Sequence, residues 1–315
     1  MFIGFDTSNY TTSVAAFDGT EILQYKTMLT VKPGERGLRQ SDAVFQHTVN
    51  IRTLVKNLPQ RDIDAVGVST RPRNVEGSYM PCFLVGESVA TAFAQASGAP
   101  LHTTSHQVGH ILAALWSAGR TDLIEHPFYA YHLSGGTTEL LLVVPDDEEI
   151  IKATVVAESL DLKAGQAIDR AGVMLGMTFP CGKALDELSQ KSNRTFKIRP
   201  SMKDGCCSLS GVENKAKQML ERGEAPADIA AFVIESVCAG VTAMLDAAFE
   251  KHGRLPVIFS GGVSSNSALR RHYNNQPEVY FAAPAFSLDN AAGCAVYAYL
   301  KEQRKANGSS DSFTD

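Results

Sequence analysis

One motif occurs twice in this chain, and it constrains the fold more than any other feature. Phe2-x-x-Phe5-x-x-Ser8-x-x-Thr11-Thr12 matches Phe128-x-x-Tyr131-x-x-Ser134-x-x-Thr137-Thr138 at a constant offset of 126 residues. A repeat of this length points to a duplicated supersecondary unit rather than a single repeated helix or strand. In the first copy, Phe2 to Ser8 reads as a short apolar strand. Asn9 and Tyr10 turn it, and Thr12 to Phe17 is its hairpin partner. A third strand follows near Glu21 to Leu29. After a Pro/Gly loop come a helix over 40–58, a buried strand over Ala65 to Thr70 and a helix over Val85 to Ser97. The second copy repeats the strand pattern over Phe128–Ser134, Thr138–Val144 and Ile150–Glu158. Further strands are expected at Pro256–Ser260 and Val279–Ala282, each followed by helix.

Two related halves, each a β-hairpin followed by α/β units, resemble the actin/Hsp70/sugar-kinase arrangement, the actin-like ATPase (ASKHA) fold. That α/β fold implies two duplicated subdomains facing a nucleotide cleft, with a hairpin turn approaching the phosphates from each side. The expected division is an N-terminal subdomain over 1–120 and a C-terminal one over 121–305. The second carries a mostly helical insertion at about 163–251, with Gly/Pro breaks near 176–182 and a loop around 192–211. The small, polar segment 306–315 is expected to be a disordered tail.

Composition narrows the function classes. The net charge of -5 excludes a global positive field, so any contact with RNA must be local or shared with a partner. The six cysteines (82, 181, 206, 207, 238 and 294) show no C-x-x-C spacing and read as reduced, packed thiols; the adjacent Cys206 and Cys207 also admit a redox pair. The N-terminus enters a strand without a basic n-region, and no apolar stretch is expected to reach the ~18 residues that span a bilayer. A cytoplasmic protein without a membrane partner is expected.

Three segments carry candidate chemistry. In SHQVGHILAALW, His106 and His110 stand four apart on an expected helix, so one face carries both imidazoles and can grip one metal ion. Gln107 occupies the position of the glutamate base in the zinc-protease pattern H-E-x-x-H, which removes the catalyst of a peptidase. In AFSLDNAAGCAVY, Asp289 is either a third ligand or a plain helix cap. Two glycine turns, Gly135-Gly136 in HLSGGTTEL and Gly261-Gly262 in FSGGVSSNSALRR, are either tight turns or places where bare backbone meets phosphate. Asn266 follows the second, within reach of a ribose or base edge.

SHQVGH, LSGG, AGQAIDRAGVMLG, SLSG, FSGGVSSNSALR and LDNAA occur in the order and approximate spacing of the TsaD/Gcp family, and the chain resembles that family from residue 2 to about 300. These are the tRNA threonylcarbamoyl transferases once called O-sialoglycoprotein endopeptidases. The resemblance implies metal ligands His106, His110 and Asp289 for Fe(II) or Zn(II). It implies contacts to ATP, with Mg, or to an acyl-adenylate from His132, Leu133, Ser134, Gly135, Gly136, Asp169, Gly182, Gly261, Gly262 and Asn266. The first turn, with Asp6, Ser8 and Asn9, is the implied catalytic element. Implied partners are tRNA, a TsaB-like paralogue as heterodimer partner, a TsaE-like ATPase, and a threonylcarbamoyl-adenylate synthase that supplies the donor.

The sequence also departs from the family pattern. Asn9-Tyr10 makes the first turn less acidic, STRPRNVEGSYMP at 69–81 replaces A-G-P-G, Thr137 stands where S-G-G-H-T has histidine, and LSGVENK replaces F-S-G-L-K-T. Two other functions therefore stay open: a non-catalytic ATP- and metal-binding scaffold, and carbamoyl or phosphoryl transfer to a small molecule. Arg71 and Arg73 either face phosphates or pair with Glu76. The stretch 191–203, with five basic residues and no acidic one, is either a tRNA patch or a solvated loop.

Overall fold

The structure is a computed structural model that describes residues 1–8, 10–31, 38–288 and 291–310. The first half runs β1 (Phe2–Asp6), β2 (Thr11–Phe17), β3 (Ile22–Met28), α1 (Gln40–Leu54), β4 (Ala65–Arg71), α2 (Phe83–Ser97), β5 (Leu101–Ser105) and α3 (His106–Ser117). The second begins with β6 (Phe128–Leu133), β7 (Thr138–Asp146), β8 (Ile150–Glu158), α4 (Ala164–Met174) and α5 (Gly182–Ser189). It continues with β9 (Ser201–Lys203), β10 (Cys206–Ser208), α6 (Ser210–Glu221), α7 (Pro226–His252), β11 (Val257–Ser260), α8 (Ser267–Tyr273), β12 (Val279–Phe281) and α9 (Ala292–Ser310).

The duplication read from the sequence is present in the topology. One sheet is ordered β3-β2-β1-β4-β5 and the other β8-β7-β6-β11-β12. In each, the first strand of the repeated motif is central, antiparallel to its hairpin partner and parallel to a later strand. The edge strand β5 is not apparent from the sequence because LHTTS offers one large apolar side chain and no alternation.

The chain divides into two compact units, Met1–Glu125 with Val144–Ala153 and Ala285–Asp315, and His126–Val143 with Thr154–Pro284. This departs from the contiguous division at 120 because α9 packs on the first sheet. Along β1 and β4 the two-residue period sends Ile3, Phe5, Val66 and Val68 into a core with Ile51, Leu54, Ala90 and Ala94 of α1 and α2. The opposite face presents Gly4 and Gly67, which pair across the strands and receive α9. A Cβ on Gly4 would stand 2.2 Å from the Ala291 carbonyl oxygen, and one on Gly67 2.0 Å from that of Cys294. On its other side, Gly293 of α9 meets α3, where a Cβ would lie 1.7 Å from the Gly109 carbonyl oxygen. Backbone therefore meets backbone at three glycines, spacing that no side chain permits. Helix α9 continues to Ser310, so the expected tail at 306–315 is helical for its first five residues; 311–315 lie outside the described residues.

The second unit has its core between its sheet and α4–α7, around Tyr131, Leu140, Ile168, Leu185, Val233 and Phe259. Contrary to the expectation that no apolar stretch is long enough to span a bilayer, Pro226–His252 passes that test by length and composition, at a mean hydropathy of 1.7. Its most apolar window is 61% buried, and Ile229, Val233, Val237, Val241 and Met244 lie in the core of this unit. The insertion also holds a β9–β10 ribbon where a loop is expected. Asp204 and Gly205 both have positive φ (51° and 80°), as a two-residue hairpin turn requires.

Candidate active site

In the first unit, the chain leaves β1 as Asp6-Thr7-Ser8, and all three side chains are buried and engaged. The Thr7 hydroxyl donates to the Cys82 carbonyl at 2.8 Å and accepts the Gly86 N–H at 3.0 Å, tying the turn to the start of α2. Asp6 Oδ1 accepts the Ser8 N–H at 2.7 Å, and Asp6 Oδ2 lies 2.7 Å from His106 Nδ1. Ser8 Oγ is 2.8 Å from the same nitrogen and 3.5 Å from Nε2. His106 opens α3 directly after Ser105, whose side chain caps the helix by accepting the Val108 N–H. One turn on, His110 brings its ring to a centroid distance of 4.3 Å from His106, at 79°.

Asp6 and Ser8 are each 1% exposed, His106 8% and His110 5%. Burial pushes the Asp6 carboxyl up, but the charge of His106 and hydrogen bonds from His106 and Ser8 outweigh it, and the group is held below the usual carboxylate range. A buried carboxylate on one imidazole nitrogen fixes the ring and directs its other nitrogen to a ligand, the arrangement that orients metal-bound histidines. The pair His106 and His110 thus suits a divalent ion that takes nitrogen ligands. Asp289 and Asn9 lie outside the described residues, and among the described residues no group of three His, Cys, Asp or Glu could hold a metal.

In the second unit, Ser134 N–H donates to the Thr137 carbonyl at 2.8 Å, and Ser134 Oγ accepts the N–H groups of Gly136 and Thr137, closing the turn after Leu133. A Cβ on Gly135 or Gly136 would meet open space, so glycine here keeps the face of the exposed turn clear rather than relieving a clash. Behind the turn the packing is tight. A Cβ on Gly165, near the start of α4, would sit 2.7 Å from the Gly135 Cα and N. Gly165→Ala is therefore expected to displace the turn and lower Tm by several degrees, measured by thermal unfolding, while Gly176→Ala, in open space, serves as a control for backbone strain alone.

The remaining residues are placed by hydrogen bonds, strand pairing and close packing. Asp169 Oδ1 accepts the Cys181 N–H at 2.8 Å, which places Gly182 at the start of α5. His132 lies half-buried on β6, opposite Ser260 and Glu139. Gly261 has φ 90° and would carry its Cβ 2.2 Å from the Leu133 carbonyl oxygen, so it is a packing requirement; Gly262 opens the short turn to Ser265. Asn266, expected to reach a ribose or base, uses Oδ1 to cap α8 through the Ala268 and Leu269 N–H groups. Its Nδ2 donates to Asp186 Oδ1 at 3.0 Å. Asp186 also accepts from the Ser267 N–H and hydroxyl. Sequence reading missed Asp186, four residues after Gly182 and thus one turn along α5; that spacing was the available signal.

The altered loop at 69–81 is closed by Arg71 through a partner the sequence did not suggest. Its guanidinium donates to Glu149 Oε1 at 2.9 Å, Asn74 Oδ1 at 3.0 Å and Thr70 Oγ1 at 3.2 Å. None of the six cysteines is in a disulfide, and burial pushes the Cys207 thiol up to about 11, so it stays protonated at neutral pH and is a poor nucleophile.

Solved structures of similar fold include component A of (R)-2-hydroxyglutaryl-CoA dehydratase from Acidaminococcus fermentans, with a TM-score of 0.55 at 17% identity over 96% of this chain and 98% of that one. Full-length HypF reaches 0.58 at 12% identity over 96% of this chain and 55% of that one. A ROK-family glucokinase from Streptomyces griseus reaches 0.51 at 14% identity over 96% and 99%. At these identities the likeness shows the actin-like ATPase fold. Sequence relatives are closer. The tRNA N6-adenosine threonylcarbamoyltransferase of Geotalea uraniireducens is 29% identical over 91% of this chain and 86% of its own length. That of Bacillus licheniformis is 28% identical over 98% and 94%. A model of the family TsaD, tRNA N6-adenosine threonylcarbamoyltransferase, matches residues 30–296. With the fold, the repeated hairpins and this match over most of its length, the chain belongs to the TsaD family, transferases of tRNA threonylcarbamoyladenosine modification.

Proposed function

We propose that the chain transfers the threonylcarbamoyl group of threonylcarbamoyl-adenylate to the exocyclic amine of an anticodon-loop adenosine in tRNA. The amine nitrogen bonds to the carbamoyl carbon, the anhydride bond to AMP breaks, and one N–H proton is released. The observation that carries this reading is the buried Asp6–His106–His110 set at the end of β1, in a chain of this family. His106 and His110, with Asp289, would hold a divalent metal, Fe(II) or Zn(II), which when bound supplies Lewis-acid polarisation and orientation. Asp6 and Ser8 fix the His106 ring through Nδ1. The Gly135 N–H, on the clear face of the turn, receives a phosphate oxygen of ATP or the adenylate, Asp169 sets Gly182 through Cys181, and Asp186 with Asn266 steadies the start of α8. In the cytoplasm a synthase supplies the adenylate, and a TsaB-like paralogue and a TsaE-like ATPase assemble with the chain.

The deciding experiment follows labelled threonylcarbamoyl from its adenylate to unmodified tRNA, using metal-loaded protein with and without these partners. Label should reach tRNA and vanish in His106→Ala or after chelation. Absence of label under every condition, with metal and ATP still bound, overturns transfer and leaves the scaffold or a different acceptor.

A further inference from the structure

Residues 191–203 carry Lys191, Arg194, Lys197, Arg199 and Lys203 without an acidic residue, and the structure separates their roles. Arg194 is committed: its guanidinium donates to Glu224 at 2.5 Å and lies 4.9 Å over the Phe196 ring. Past it the segment alternates. Phe196, Ile198 and Pro200 are half-buried, with Phe196 packed on the core of its unit, while Lys197, Arg199 and Lys203 are exposed. These three cations make no hydrogen bond or ion pair among the described residues, unlike Arg170 and Arg194 in the same unit. Lys197 and Arg199, two residues apart, share the exposed positions of this alternation, and Lys203 follows on β9. Lys197 and Arg199 also border a cleft of about 230 Å³ whose far wall is Val212, Phe232 and Ser236.

Exposed cations without ion-pair partners beside a small cleft give a chain of net charge -5 a local place for an anion to bind. We propose that Lys197, Arg199 and Lys203 form the contact of this chain with the phosphate backbone of its tRNA. The proposal rests on the transferase reading above. RNA is favoured over a protein partner because neighbouring exposed cations without ion-pair partners suit a polyanion, whereas the centre of a protein interface is depleted of lysine.

The test measures tRNA affinity of the full chain as a function of salt, alongside transfer, for Lys197→Glu/Arg199→Glu and for a charge-matched control, Lys56→Glu/Arg61→Glu, on the first unit. The site variant should bind tRNA about 10- to 100-fold more weakly, lose about two units from the slope of log affinity against log salt, and keep its ATP affinity and Tm; the control should change tRNA affinity less than about twofold. Unchanged tRNA affinity and slope in the site variant, with transfer intact, overturn the contact and leave the transferase reading standing. Equal losses in site variant and control, or loss of a protein partner with tRNA binding retained, overturn it as well. A wild-type chain that neither binds nor labels tRNA removes both.

Discussion

Gly293→Ala is expected to lower Tm by roughly 5–8 °C, while Gly109→Ala, on the opposite side of the same helix contact, leaves it unchanged or slightly raised. The asymmetry follows from where each new methyl group points. At Gly293 it would stand 1.7 Å from the Gly109 carbonyl oxygen, and backbone cannot yield as the end of a side chain can. Helix α9 would have to lift from α3 and also from the Gly4–Gly67 trough, exposing apolar surface on both sides. A loss of about 3–5 kcal/mol is the expected scale, which in a chain of 315 residues corresponds to roughly 5–8 °C. At Gly109 the new methyl would meet Cys294 Sγ at 3.6 Å, an ordinary contact, and alanine favours a helix interior over glycine by about 1 kcal/mol. Thermal unfolding of both variants, followed by circular dichroism, decides the matter. Equal losses, or none in either, would mean that α3 and α9 do not meet at these glycines.

Asp6→Asn should weaken metal binding by about 10- to 100-fold and transfer by a similar factor, with Tm little altered. The carboxylate is 1% exposed, accepts the Ser8 N–H and holds His106 Nδ1. Asparagine keeps the shape and one acceptor oxygen but replaces the other with an N–H₂ donor and removes the charge, so the ring loses both its orientation and its electrostatic partner. Calorimetric titration of Zn(II) into the metal-free variant reads the first effect, and labelled transfer reads the second. Retained metal affinity with lost transfer would assign Asp6 to the chemistry itself rather than to orienting His106.

Much of the fold was legible because it repeats. Phe2, Phe5, Ser8 and Thr12 and their counterparts 126 residues later mark central strands, and both sheets share one order around them. The histidine pair was legible because four-residue spacing on a helix has a single geometric meaning. What escaped was set by residues far apart in the chain. The partner of Arg71 is Glu149, 78 residues on, not the nearby Glu76. Asn266 reads as a ligand contact in sequence, which gives no sign that its side chain also caps a helix start and bonds Asp186, 80 residues earlier. The β9–β10 ribbon is a different case, since Asp204-Gly205 is a strong hairpin signal obscured by strands of only three residues.

The glycine trough has a consequence for synthesis. The face of β1 and β4 that holds Gly4 and Gly67 is covered by residues 291–295, so β1 waits for a helix made about 290 residues later. At about 5–20 residues per second, roughly 15–60 s separate the two. Through that interval α1 and α2 can clothe one face of the first sheet, while the trough on the other face stays open until α9 is made.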